Sequence, residues 1–212
     1  MSFKEINILV SNISETSELF PFCLAFFLVK KPPYNLLGWF FFISAPIKIL
    51  SMVTAMYVMN NMVLFHVLAV VEVVLLYLFY DRIIFNRPPN WYVVALLILV
   101  NLLNSLFNEN IFQFNSIGWS INIIILLSLG LKYFHKIYQG LETTQFERSP
   151  LFIINTGLLV YFTGSLFTYI LGSKILSKDS QDFFNNAWVI QSFSNISKNL
   201  IVGYGLWLAK FR

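Results

Sequence analysis

Long apolar runs recur along the whole chain, and they constrain its fold more than any other feature. The run from Met62 to Tyr80, for example, contains a single charged residue, Glu72. A transmembrane helix needs roughly 20 mostly apolar residues to cross the hydrocarbon layer. With 58% hydrophobic and 11% charged residues, the chain has too few polar groups to cover a soluble globule. Because the runs are continuous rather than alternating, the sequence predicts an all-α, polytopic membrane helix bundle and not a β-barrel.

We expect about seven transmembrane helices in a single domain spanning residues 1–212. Their expected bounds lie near 10–29, 36–59, 62–80, 91–107, 117–134, 151–171 and 184–209. The first and seventh are weaker than the others because each carries ionisable residues. A bundle of six or five spans with an interfacial segment at one end is the alternative. Pro21 and Pro46 are expected to kink the first and second helices.

The positive charges that flank the helices predict an orientation, because cytoplasmic loops carry an excess of Lys and Arg. With seven spans, nine such residues fall on one side: Lys30, Lys31, Arg82, Arg87, Lys132, Lys136, Arg148, Lys210 and Arg212. Three fall on the other side: Lys4, Lys174 and Lys178. We therefore expect a membrane protein with its N-terminus outside the cytoplasm and its C-terminus inside. The net charge of +4 then reflects topology, and no direct binding of nucleic acid is expected.

Ionisable residues fall near the middle of four expected helices: Glu18 in the first, Lys48 in the second, Glu72 in the third and Lys198 in the seventh. Each such group is costly in lipid and is therefore a functional candidate. Glu15 lies one turn from Glu18 on the same helix face. We expect these side chains to form at least one ion pair. For Lys198 to reach the acids, the seventh helix must pack near the first or third. Two interpretations remain open, a structural polar network and a binding site or relay.

Other polar residues within the expected spans are His66, Asn101, Asn104 and Asn155. Such side chains usually make hydrogen bonds between helices. His66 and His135 are expected on opposite sides of the membrane, so they cannot share a metal ion. No zinc-ligand spacing occurs in the sequence, and no metal or other cofactor is expected. The glycines of the sixth and seventh helices permit close packing or an oligomer, although their spacing is not GxxxG.

Three stretches, Asn60–His66, Asn104–Ser116 and Ser149–Gly164, resemble a family of small, largely uncharacterised bacterial seven-helix membrane proteins. The resemblance covers about residues 10–210, although Ile153 stands where a Trp is expected. It implies a seven-helix bundle of the bacterial cytoplasmic (inner) membrane without established catalytic residues, in proteins whose genes lie near signalling genes. The chain is also similar in size and helix content to the membrane accessory proteins of type VI-B CRISPR loci, which modulate an RNA-guided RNA nuclease.

The pattern and the resemblance favour a non-enzymatic membrane accessory or regulatory protein. We expect it to contact membrane lipid and to act through a protein partner. The resemblance implies that this partner system is a type VI-B one. A small-solute transporter or channel, with the mid-membrane charges lining its path, is the first alternative. A lipid-modifying membrane enzyme is the second.

Overall fold

The structure is a computed structural model that describes residues 3–28, 32–57, 59–86, 88–140, 148–171 and 181–211. These ranges are all-α and contain no strand, which confirms the all-α part of the predicted fold class. The helices are α1 (Phe3–Ser17), α2 (Leu19–Leu28), α3 (Tyr34–Met56), α4 (Met62–Phe85), α5 (Trp91–Leu103), α6 (Ser116–Gln139), α7 (Pro150–Ile170) and α8 (Gln181–Lys210). A π-helical turn, Asn104–Asn108, extends α5.

Five of these elements are long and apolar enough to cross a membrane: α3, α4, α5 with its π-helical turn, α6 and α7. Large apolar side chains face outward along them. Trp39, Leu99 and Phe167 are 52%, 50% and 56% exposed, respectively. An outer surface of this kind is unfavourable in water, but it is the surface that hydrocarbon chains solvate.

The first expected helix, near 10–29, is two helices, and α1 begins earlier than expected, at Phe3. The helix is interrupted between Ser17 and Leu19, and Pro21 explains the position of this interruption. A proline has no N–H to donate to the carbonyl four residues before it, and its ring clashes with that carbonyl, here Ser17. Pro21 therefore lies in the first turn of α2, where a proline is tolerated.

The third and fifth expected helices continue past their expected ends at Tyr80 and Phe134. The third, α4, runs on to Phe85, and Asp81, which follows the expected end, is buried inside the bundle. The fifth, α6, runs on to Gln139. The remaining bounds lie within a few residues of those expected.

Helices α1 and α8 have an inverted amphipathic pattern, with polar residues facing the bundle and apolar residues facing outward. Asn7, Ser11 and Ser14 of α1, and Glu18 just after it, recur at helical spacing. Asn7 and Ser11 line a cavity, and Ser14 and Glu18 are fully buried. In α8, Gln191, Ser192, Asn195, Lys198 and Asn199 are buried, whereas Ile190, Phe193 and Leu200 are more than half exposed. This pattern explains why both segments have a modest mean hydropathy.

Helix α8 packs against α7, α1 and α2. The expectation that the last helix packs near the first is therefore confirmed. Asn195 of α8 donates to the hydroxyl and the backbone carbonyl of Ser14 in α1, at 2.9 and 3.1 Å. Asn199 donates to the hydroxyl of Ser17 at 2.7 Å. These bonds give the inward polar faces of α1 and α8 their partners.

The glycines of α7 and α8 allow these two helices to approach closely. A Cβ atom added at Gly157 would lie 3.0 Å from Ile201, and one added at Gly205 would lie 2.6 Å from Ile154. The small residues therefore serve packing within the chain.

Candidate functional site

A cavity of about 540 Å³ opens at the end of the bundle where α3 ends and α4 begins. We call it the vestibule. Its walls come mainly from α1 and α3, with Ile8, Met52 and Met56 among its apolar residues. Glu15 and Lys48 are the charged residues of its lining. The vestibule thus combines apolar side chains with two charged groups, of which Glu15 lies about 18 Å along α1 from its start.

A second, smaller cavity adjoins the vestibule and shares Glu15, Lys48, Ser51, Phe65 and Trp188 with it. We call this cavity the aromatic pocket. Its free volume of about 20 Å³ accommodates one water-sized group.

The walls of the aromatic pocket are stacked rings that support one another. The rings of Trp119 and Tyr169 are stacked with centroids 4.9 Å apart, and Phe114 stacks on Tyr169 at 5.9 Å. Phe114 also makes an edge contact with Trp188 at 6.3 Å. Tyr161 and Phe65 complete the aromatic lining. Because each ring packs against another, the pocket is preorganised.

Lys48 and Glu18 form an ion pair beneath the vestibule. The Lys48 Nζ lies 2.5 Å from Glu18 Oε2, and the two side chains are 9% and 0% exposed. Ser44, one turn before Lys48 on α3, donates its hydroxyl to the other oxygen of Glu18. The pair joins α3 to the residue between α1 and α2, so it lies where the helix is interrupted. One of the ion pairs expected from the sequence is therefore present.

Lys198 and Glu72 lie deeper and do not form a close ion pair. The Lys198 Nζ is 4.4 Å from the ring centroid of Tyr161 and 5.7 Å from that of Phe40, which is cation–π geometry. It has no hydrogen-bond partner among the described residues. Glu72 is 1% exposed, interacts electrostatically with Lys198 and Lys48, and has Tyr161 beside it. These two residues extend the charge network beyond the ion pair.

Glu15 differs from the other acids because it lines both cavities. Its Oε2 atom is buried and has no hydrogen-bond partner in the described part of the chain. Lys48 attracts it from beyond ion-pair distance, and Glu18 repels it. All five charged residues singled out from the sequence therefore belong to one connected region.

A fully buried apolar layer lies on the side of the charges away from the vestibule. It consists of Phe40 and Phe41 of α3, Leu76 and Phe79 of α4, and Val202 and Leu206 of α8, each at most 1% exposed. Phe41 precedes Lys48 by two turns, and Phe79 and Leu206 follow Glu72 and Lys198 by about two turns. The cavities therefore end at the charge network.

The other polar residues expected to join helices do so. His66 contacts Ser105 through Nδ1 at 2.7 Å and the Gln113 carbonyl through Nε2 at 3.1 Å. Asn101 and Asn122 exchange two hydrogen bonds of 3.0 Å. These bonds connect α4, the α5 region and α6 into one unit.

Asn155 of α7 makes a similar connection deeper in the bundle. It accepts from the hydroxyl of Tyr80 at 2.8 Å and donates to the carbonyl of Gly130 at 3.2 Å. The chain thus has a polar network on the α4, α6 and α7 side that is separate from the charges around Lys48.

Glu109 is a buried acid that sequence reasoning missed. It accepts from the Asn104 side chain at 2.8 Å and from the backbone N–H groups of Ser116 and Ile117 at 3.0 and 2.9 Å. It thereby satisfies free N–H groups at the start of α6. The nearby Asn115 side chain accepts from Gly118 in the usual N-cap geometry. An acid shortly before a helix start was the available signal.

The described ranges contain no group of three His, Cys, Asp or Glu residues arranged to hold a metal ion. His66 lies near the vestibule end of α4, and His135 lies near the opposite end of α6.

Several charges on which the expected orientation depends lie outside the described residues. They are Lys30, Lys31, Arg87, Lys174, Lys178 and Arg212. Comparison of the chain with models of protein families, with curated proteins and with solved structures gave no match.

Proposed function

We propose that the chain is a non-enzymatic, multi-pass membrane regulator that binds a small molecule in its vestibule and acts on a protein partner. The observation that carries this proposal is a cavity that opens at one end and ends blindly at buried charges. Glu15 and Lys48 of its lining lead directly to the Glu18 ion pair at the break between α1 and α2. A ligand that contacts these groups therefore has a route to change how α1 and α2 pack.

The proposal includes seven spans, with α1 and α2 together forming one interrupted span and α8 forming the last. The inverted pattern of α1 and α8 supports it, because Ile6, Ile13, Phe193 and Leu200 face outward where only lipid would solvate them. The buried polar faces satisfy each other through Asn195 and its partners. Under the charge bias of the sequence, the vestibule then opens to the outside of a bacterial inner membrane.

A small-solute transporter is the second candidate. Two charged residues, Lys198 and Glu72, lie deeper than the vestibule, and this arrangement favours a transporter. A transporter must expose the same site to both sides in turn, so the apolar layer at Phe79 and Leu206 would have to open. A regulator needs no such opening.

Site-directed labelling distinguishes these two candidates without knowledge of the ligand. Cys23 is the only cysteine and lies exposed on α2, so Cys23→Ala gives a background free of thiols. Ser51→Cys places one thiol in the cavity lining. A membrane-impermeant thiol reagent is then applied to right-side-out and inside-out vesicles.

For a regulator, Ser51→Cys reacts only from the side that also labels the matched control Tyr57→Cys, at the exposed end of α3. Tyr138→Cys, exposed near the end of α6, reacts from the opposite side and shows that both vesicle types are sealed. If Ser51→Cys reacts from both sides while each control still reacts from one side only, the regulator proposal is wrong and the transporter proposal is favoured. The same controls report the orientation: Tyr57→Cys should react from outside.

The proposal that the partner is the RNA-guided nuclease of a type VI-B system rests on the resemblance alone. Co-expression of the tagged chain with that nuclease, followed by purification in mild detergent, tests it. Stoichiometric recovery that is lost when the tagged chain is omitted is the expected outcome. Absence of the nuclease from the purified chain contradicts this part of the proposal and leaves the ligand-binding part standing.

A further inference from the structure

The vestibule region contains one more acid than base. Glu15, Glu18 and Glu72 interact with Lys48 and Lys198, so three carboxyl groups share two lysines and one of them has no lysine of its own. In a low-dielectric interior, an uncompensated charge is costly unless it is neutralised or paired.

Glu15 is the acid placed to receive a further cation. Glu18 is already held by Lys48 and Ser44, and Glu72 lies beneath, beside Tyr161. Glu15 instead lines both cavities with a buried oxygen that has no hydrogen-bond partner among the described residues.

The walls around Glu15 also have the chemistry that binds cations. Aromatic faces attract ammonium groups through their quadrupoles, and aromatic cages around a carboxylate are a recurring way to bind them. Here the rings of Trp119, Tyr161, Tyr169 and Trp188 line the aromatic pocket together with Glu15, and the charge of its lining lysine, Lys48, is already paired with Glu18. The chain itself contains such a contact beside the pocket, where the Nζ of Lys198 lies over the ring of Tyr161.

We propose that the aromatic pocket binds the primary ammonium group of an amine whose apolar body lies in the vestibule, with Glu15 as its counter-ion. The size of each cavity selects this class. The pocket has room for one water-sized group, which fits –NH₃⁺ and excludes a trimethylammonium group. The vestibule has room for an alkyl or aryl body between Ile8, Met52 and Met56. This inference rests on the proposed function and names the ligand class of its cavity.

Binding is measured with the purified full chain in phosphatidylcholine nanodiscs, with tryptophan fluorescence and calorimetry as readouts. The probe is n-butylammonium, and its neutral counterpart of similar length is 1-pentanol. We expect saturable binding of the amine, at least tenfold weaker binding of the alcohol, and at least tenfold weaker binding of butyltrimethylammonium. Equal binding of 1-pentanol would overturn the proposal, because the site would then recognise only an apolar chain.

Two variants test the residues. Glu15→Gln keeps the shape of the side chain and removes its charge, and it should weaken n-butylammonium binding at least tenfold. Glu5→Gln on the same helix, at an exposed position, is the matched control and should bind like the wild type. Trp188→Leu removes one wall and leaves Glu15 intact, so it should also weaken binding if Glu15→Gln fails to fold. Unchanged affinity in a folded Glu15→Gln or Trp188→Leu protein contradicts the proposal.

A free amine and the headgroup of phosphatidylethanolamine carry the same ammonium chemistry. Nanodiscs that contain phosphatidylethanolamine distinguish them: competition with n-butylammonium assigns the site to the lipid headgroup, and unchanged affinity assigns it to a free amine. Both outcomes retain the ammonium site. Failure of all amines to bind, with one-sided labelling of Ser51→Cys retained, refutes the ligand class without refuting the regulator.

Discussion

Replacement of Lys48 by Met tests whether the buried ion pair stabilises the bundle. The change keeps the length and apolar stem of the side chain and removes the charge that faces Glu18 at 2.5 Å. At an effective dielectric constant near 20, two unit charges about 4 Å apart interact by about 4 kcal/mol. Removal of one member of a buried pair costs about 3–5 kcal/mol in proteins, since the remaining charge stays buried. Ser44 still donates to Glu18, so we expect a loss at the lower end of that range.

The assay is reversible unfolding of the purified protein in mixed micelles of increasing SDS content, followed by tryptophan fluorescence. The double variant Glu18→Gln, Lys48→Met removes both charges of the pair. It should therefore regain about half of the free energy of unfolding that Lys48→Met alone loses. Lys132→Met is the matched control. Lys132 is exposed, with its Nζ 4.6 Å from the Phe85 ring centroid, so its replacement should cost about 1 kcal/mol or less. A loss below about 1 kcal/mol for Lys48→Met, or strictly additive effects in the double variant, would refute the stabilising role.

Two further stability changes follow from packing and capping, measured in the same unfolding assay. Gly205→Ala should be about 1–3 kcal/mol less stable than the control Gly140→Ala. The Cβ at position 205 would lie 2.6 Å from Ile154 and 3.1 Å from a backbone carbonyl, whereas the Cβ at position 140 would meet nothing closer than 3.5 Å. Equal stability of the two variants would contradict the close α7–α8 contact. Glu109→Ala should cost about 1–2 kcal/mol, because the Ile117 N–H loses its acceptor and the Ser116 N–H keeps only the Phe114 carbonyl. An unchanged midpoint would show that water replaces the carboxylate.

The helices were predictable wherever a run is uniformly apolar, because length and hydropathy alone then define a span. The end of α4 was expected five residues too early, since a sequence cannot distinguish an acid such as Asp81 at the membrane surface from one buried against a neighbouring helix. Pro21 predicted a distortion but not its position, which depends on the carbonyl of Ser17, one turn earlier.

The candidate site was predictable in its members but not in its arrangement. Depth along each helix singled out Glu18, Lys48, Glu72 and Lys198, because charges at mid-depth are rare. Which acid pairs with which lysine depends on helix rotation and packing order, and neither can be read from spacing within one helix. The aromatic pocket was not foreseen, since Trp119, Tyr169 and Trp188 come from three helices and carry no sequence signature of a shared cavity.

The contacts between α1 and α8 have a consequence for how the chain assembles in the membrane. Asn195 and Ser14 are 181 residues apart in sequence. At a synthesis rate of about 5–20 residues per second, α1 waits roughly 10–40 s before α8 exists. During that interval, Ser14 and Ser17 lack the partners that α8 later supplies. The inward polar face of α1 is therefore completed only after almost the whole chain has been synthesised, so the contact between α1 and α8 forms as a late step of folding.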